Sequence, residues 1–219
     1  MPEWVHPWHL ANALSAIDLM AAAVFAVTGA LVASRKQLDI VGFLWFGVVT
    51  GVGGGTVRDV LIDAPVFWIL NPWPVAVCLI AACAVYFMAH HLASRHRAIL
   101  WLDAIGIALF TIVGTAKGLD AGFAPLVAVV MGVITATVGG IIRDVLGQEP
   151  SIILRREIYV TACLLGAVAF ASLTALGMDR LLAGGIGGAT VFLVRGLSLW
   201  FGWSLPTYWP RPGRPPDAP

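Results

Sequence analysis

The sequence predicts an all-α integral membrane protein of seven transmembrane helices, built as two inverted three-helix repeats plus a seventh helix. Three observations predict it. Of 219 residues, 59% are hydrophobic and only 11% charged, with a mean hydropathy of +0.90, whereas a soluble domain carries about 25% charged residues. Seven apolar runs approach the length of about 20 residues that a membrane span needs. And "GGTVRDVL" at 54–61 returns as "GGIIRDVL" at 139–146, an offset of 85 (139 − 54).

The spans run near 11–33, 40–62, 73–92, 98–117, 123–146, 158–177 and 181–203. "SRKQLD" separates the first two. "APVFWILNPWP" separates the second and third, with Pro72 and Pro74 suited to a helix start. "HHLASRHR", "KGLDAGFAP", "GQEPSIILRRE" and "GMDR" follow the next four. Residues 1–203 form one membrane domain, and the proline-rich tail 204–219 is too poor in helix formers to order. The N-terminus lacks the basic start of a cleaved signal, so the first helix is expected to stay in the mature protein.

Repeat one covers 13–92, repeat two 98–177, and the seventh helix 181–203. The offset also carries Asp18 to Asp103, Phe25 to Phe110, Gly29 to Gly114, Gly47 to Gly132, Thr50 to Thr135, Pro65 to Pro150 and Cys78 to Cys163. A unit of three spans ends on the face opposite to its start. The second copy therefore enters the bilayer upside down, an arrangement common in transport proteins.

Basic residues set the orientation. Arg35 and Lys36, Arg95 and Arg97, Arg155 and Arg156, and Arg211 and Arg214 fall on one side, against Lys117 and Arg180 on the other. This places the N-terminus outside and the C-terminus in the cytoplasm, in the plasma (inner) membrane. Trp4, Trp8, Trp68, Trp73, Trp101, Trp200 and Trp203 lie near span ends, as interfacial anchors do.

The repeated motif holds the chemistry. Gly47, Gly51 and Gly55, and Gly132, Ala136 and Gly140, recur every four residues and suit close helix packing. Packing does not require Gly53 and Gly54 as well. Adjacent glycines loosen a helix turn, so a kink or broken turn is expected at Gly53, Gly54 and Gly55 and at Gly139 and Gly140. Broken helices at matching positions of two inverted halves point to a solute pathway.

Charges follow one turn later. Asp18, Arg58 and Asp59 should meet near the outer end, and Asp103, Arg143 and Asp144 near the cytoplasmic end. Buried charges must be paired, so each cluster reads as a structural ion pair, as a pore mouth, or as both. Thr28, Thr50, Thr56, Thr111, Thr115, Thr135 and Thr137 mark the first, second, fourth and fifth helices as the lining of a path. Lys117 is either a snorkelling terminal lysine or a gating cation near Asp120.

Other chemistry is not indicated. Net charge is +1, so no nucleic-acid partner is expected. No serine or cysteine nucleophile sits with a base, so the chain is not read as an enzyme, and no cofactor is expected. Cys78, Cys83 and Cys163 read as small buried hydrophobes. His90, His91 and His96 read as a loop facing water and lipid headgroups rather than a metal site. "GVGGGT" lacks the Gly-Lys-Ser/Thr ending of a phosphate-binding loop.

The duplicated unit with "GVGGGTVRD" and "TVGGIIRD", plus a seventh helix, resembles the prokaryotic trimeric intracellular cation (TRIC) channels. It is also similar to the related bacterial family of glycine transporter-like membrane proteins. The resemblance covers residues 13–203. It implies a homotrimer with an hourglass pore in each protomer, lined by helices 1, 2, 4 and 5, with glycine-kinked helices 2 and 5. It implies permeation by monovalent cations, chiefly potassium, with Lys117 matching the family's gating lysine. Animal members carry Lys-Glu-Val where this chain has "VRDV", so phosphoinositide dependence is not carried over. Val138 stands where the first repeat has Gly53. A carrier of a small, glycine-like solute remains the alternative, because an arginine could bind its carboxylate.

Overall fold

In the computed structural model of the chain, residues 7–91, 94–150 and 158–206 are described. They form α1 (Pro7–Arg35), α2 (Ile40–Leu61), α3 (Phe67–Leu70), α4 (Trp73–Met88), α5 (Arg95–Asp120), α6 (Pro125–Leu146), α7 (Val160–Ala175) and α8 (Arg180–Phe201), with one 3₁₀ turn at Ala89–His91. The seven expected spans are α1, α2 and α4 to α8. Six helices are long and apolar enough to cross a membrane, and α7 is a shorter apolar helix. The tail expected to be disordered lies outside the described residues from 207 on, as do Arg155 and Arg156.

Local chemistry fixes the ends. The Asp39 carboxylate accepts from the Gly42 N–H at 2.8 Å and starts α2. Ser94 caps α5 and Asp179 caps α8 in the same way. Pro125 opens α6, where its missing N–H has no partner to lose. Just past α5, Gly122 has φ +81°, and the repeat-equivalent residue after α1, Gln37, shares the left-handed backbone at φ 56°. Asp63 (φ 54°) and Gln148 (φ 49°) are a second such pair, after α2 and α6. The closing hydrogen bonds repeat too, Leu38 N to Ala33 O and Phe123 N to Gly118 O, both at 3.2 Å. Ala64 N to Asp59 O and Glu149 N to Asp144 O are both 2.9 Å. The duplication thus extends to backbone turns that side-chain identity does not reveal.

The packing inverts the repeats. Along α1 and α5, Asp18 meets Lys117, Phe25 meets Phe110 and Arg35 meets His96. One number climbs as the other falls, so the two helices are antiparallel. Across α2 and α6, Gly54 abuts the Thr135 carbonyl and Gly139 abuts the Thr50 carbonyl, two contacts that the 85-residue offset exchanges. A pseudo-two-fold axis therefore passes between α1 and α5 and between α2 and α6. Helices α1, α2, α5 and α6 form the core, α4 and α7 pack outside their own repeats, and α8 lies on α5 and α7. Large apolar side chains such as Trp45, Ile80, Phe87, Leu126 and Leu182 face outward. Bare in water they would be a liability, whereas in lipid they are matched.

Of the kink or broken turn expected at the glycines, the broken turn is absent: the backbone of α2 is α-helical through Gly53–Gly55 and that of α6 through Gly139–Gly140. Gly54 and Gly139 lie at the crossing of α2 and α6, where a Cβ would run into the Thr135 and Thr50 carbonyl oxygens, and an unbroken helix keeps its backbone hydrogen bonds where water is absent. The separator "APVFWILNPWP" after α2 holds a short helix, α3.

Candidate functional site: two charged clusters at opposite ends of the core

Arg58 and Asp59 close α2. The Arg58 guanidinium is wholly buried; its Nε donates to Asp59 Oδ1 at 2.8 Å and its Nη2 to Asp18 Oδ2 at 3.5 Å. Asp59 Oδ2 accepts from the backbone N–H of Phe67 at 2.9 Å, which anchors α3. Thr56, one turn earlier on α2, accepts from Trp68 Nε1 at 2.9 Å and holds α3 a second time. The Phe67 ring lies under both Arg58 and Lys117, 5.6 and 5.4 Å from its centroid. Lys117 Nζ reaches from α5 to Asp18 Oδ2 at 2.8 Å. A cavity of about 560 Å³ opens at this end, lined by Asp18, Asp59, Phe67, Asn71, Lys117 and Asp120. Asp120, expected near Lys117, is paired with Arg180 at the start of α8. Its wall carries three carboxylates and the Lys117 ammonium, and each carboxylate is paired: Asp18 with Lys117 and Arg58, Asp59 with Arg58, and Asp120 with Arg180.

The Arg143 end repeats the plan with tighter bonding. Arg143 is wholly buried, with Nε and Nη2 on Asp144 Oδ1 at 3.0 and 2.9 Å. Its Nη1 donates to Asp103 Oδ1 at 2.7 Å and to Thr28 Oγ1 at 3.0 Å. Among the described residues, a small pocket of about 10 Å³ lies here between Val32, Arg35, His96, Ile99, Arg143, Asp144 and Glu149.

Between the ends lie Phe25 and Phe110, unexposed, with ring centroids 5.2 Å apart. Each sits seven residues inward of its cluster's aspartate, roughly 10 Å along the helix. Thr50 and Thr135 flank them, both buried; Thr135 bonds the Met131 carbonyl at 2.6 Å. Thr28, Thr56, Thr115 and Thr137 bond their own helix backbones. No group of three or more His, Cys, Asp or Glu that could hold a metal occurs among the described residues.

The structure therefore brings Asp18, Arg58 and Asp59 together, brings Asp103, Arg143 and Asp144 together, and adds Lys117 to the first set. Sequence reading missed Arg195. It lies wholly buried on α8, 5.3 Å over the Tyr159 ring, with Nη1 donating to the Ile158 carbonyl at 3.4 Å. A lone arginine inside the apolar run "TVFLVRGLSL" was the available signal. Tyr159 and Asp103 both border Gly140, so α8 braces the Arg143 cluster from behind.

The chain matches the family described as Glycine transporter twice, over residues 15–90 and 100–175. It is 43% identical over 161 residues to the UPF0126 inner membrane protein YadS of Escherichia coli (strain K12), covering 71% of this chain and 76% of the relative. It is similar to the solved TRIC trimeric intracellular cation channel orthologue from Rhodobacter sphaeroides: TM-score 0.86, 51% identity, 88% of this chain and 100% of the other. A prokaryotic TRIC channel solved in 0.5 M KCl matches with TM-score 0.82 and 26% identity, over 89% of this chain and 99% of the other.

Proposed function

The chain belongs to the prokaryotic TRIC family and its relatives described as glycine transporters, and from that premise we propose that it is a potassium-permeable channel for monovalent cations. The observation that carries this reading is the likeness to the Rhodobacter sphaeroides TRIC orthologue along the whole of that chain. Each protomer of a homotrimer holds its own path, lined by α1, α2, α5 and α6. The Asp18–Arg58–Asp59 and Asp103–Arg143–Asp144 clusters form its mouths. Gly53, Gly54, Gly55, Gly139 and Gly140 let α2 and α6 bend around it, with Thr50 and Thr135 at its middle. Lys117 acts as a gate at the Arg58 mouth. The protein sits in the inner membrane with the N-terminus outside, so the Arg143 mouth faces the cytoplasm.

The carboxylate oxygens of Asp18, Asp59 and Asp120 on the cavity wall at the Arg58 end support cation entry, because such oxygens can replace part of an ion's hydration shell. The family's other description favours a second reading, a carrier for a glycine-like solute held by an arginine. Single-channel recording of the purified protein in planar bilayers separates them. Discrete potassium currents support the channel; saturable, ion-coupled glycine uptake without such currents would replace it with the carrier.

A further inference from the structure

The two repeats differ in what covers their outer helices. In repeat two, α8 lies on α5 and α7. A Cβ built on Gly187 would stand 2.8 Å from Ile112 Cδ1 and 3.0 Å from Phe170 Cβ, so α8 presses onto these two side chains through a glycine. Gly166 on α7 makes room for it: a Cβ there would run into Val191 and stand 2.6 Å from the Gly187 carbonyl oxygen. The offset carries Ile112, Gly166 and Phe170 to Val27, Ala81 and Val85. In repeat one these three line a groove of about 420 Å³ between α1, α4 and α5. Among the described residues, no helix takes the place of α8 over it.

The groove wall is apolar except for His91, at the end of the molecule where Arg35 meets His96. Arg95 stands at the same end. It shares the α5 face of Ala98 and Leu102, both wall residues, and its Nε donates to the carbonyl of Ala89, a third, at 3.2 Å. Unlike Arg35, Arg58, Arg143 and Arg180, it is in no ion pair among the described residues. We propose that the groove holds an acyl chain of an anionic phospholipid whose phosphate rests on Arg95.

A helix does not fit this groove as α8 fits the other. Ala81 puts a methyl where Gly166 leaves space, and α8 uses that space for the Gly187 carbonyl. A helix with its side chains is about 10–12 Å across; a hydrocarbon chain is thinner and bends past a methyl. Such a wall offers no polar group to orient a polar solute, whereas the surrounding bilayer supplies acyl chains directly. At the groove's end the guanidinium forks to two phosphate oxygens, and the His91 imidazole has an N–H to add. Basic residues at the membrane surface attract anionic lipids over neutral ones.

Native mass spectrometry of the purified protein in detergent tests this, with dioleoylphosphatidylglycerol and dioleoylphosphatidylcholine added in turn as lipids of the same chains and different charge. The wild type should hold phosphatidylglycerol about fivefold more tightly, the factor that one basic residue supplies at a membrane surface. Arg95→Gln should lose that preference and Arg95→Lys should keep it. Ala84 is an exposed wall residue on α4, so Ala84→Phe fills the groove and should weaken both lipids. Equal binding of the two lipids by the wild type, an unchanged preference in Arg95→Gln, or lipid held as tightly by Ala84→Phe would overturn the site. So would a changed number of chains per complex in Ala84→Phe, which would put a second copy in the groove. Should Ala84→Phe not fold, Arg95→Gln against Arg95→Lys decides alone. The measurement needs no current, so its outcome is separate from that of the channel reading.

Discussion

Lys117 Nζ lies 2.8 Å from Asp18 Oδ2, closer than the arginine that the sequence pattern assigns to that aspartate. The repeat-equivalent aspartate, Asp103, holds its own Arg143 at 2.7 Å, whereas Asp18 holds Arg58 at 3.5 Å. The residue equivalent to Lys117 is Val32, which bears no charge. Lys117 has therefore drawn Asp18 off Arg58 and broken the symmetry of the two mouths.

Replacing Lys117 should undo this. In Lys117→Met, Asp18 closes on Arg58 and the cavity loses its only lining ammonium, so potassium current should rise. Asp18→Asn should lower it, because Lys117 then stands uncompensated at the mouth. The double variant should lie between them, with a coupling of about 0.2–1 kcal/mol for a partly exposed pair. Current amplitudes of the four proteins give the cycle; strictly additive effects would show that the pair does not act together.

The arginines differ in a second way. Thr28 donates its own proton to the Phe25 carbonyl at 2.8 Å and accepts from Arg143 Nη1. The equivalent residue opposite Arg58 is Val113, and Arg58 Nη1 has no hydrogen-bond partner among the described residues. Thr28→Val should destabilise the protein by about 1.5–3 kcal/mol, the range for a hydrogen bond to a charged group. Val113→Thr should stabilise it by up to about 1 kcal/mol, by giving Arg58 the missing acceptor. Unfolding in detergent measures both; a destabilising Val113→Thr would mean that the two-fold relation does not extend to this side chain.

The parts of this fold that were legible in the sequence are those set by local pattern. Span positions follow from apolar run length, and the inverted duplication follows from one offset. The pairing of Asp18 with Arg58 followed because both residues recur together as Asp103 and Arg143. What escaped is set by register between helices. Lys117 meets Asp18 only because α1 and α5 run antiparallel in one particular phase, and Arg35 meets Glu149 across 114 residues because the end of α1 lies beside the turn that follows α6. Helix α3 has four residues and no periodicity of its own. Its first turn exists because Asp59 accepts from Phe67, a contact from another helix. The glycine run was ambiguous on its face, since loosening a turn and admitting a neighbour need the same absence of a side chain.

That ambiguity can be tested directly. A Cβ built on Gly54 overlaps the Thr135 carbonyl oxygen, and one on Gly139 would stand 2.6 Å from the Thr50 carbonyl oxygen. Backbone cannot rotate away as a side chain can, so α2 and α6 must part. Gly54→Ala and Gly139→Ala should each cost about 1–3 kcal/mol, the usual penalty for overpacking. Gly185 on α8 meets nothing within 4 Å at the same probe position. Gly185→Ala should therefore stabilise by about 0.4–1 kcal/mol, because the unfolded chain loses freedom and the helix gains a better former. Thermal unfolding of the three variants in one detergent checks the contrast. If Gly54→Ala were as harmless as Gly185→Ala while abolishing current, the glycine would serve bending in the path rather than the crossing of α2 and α6.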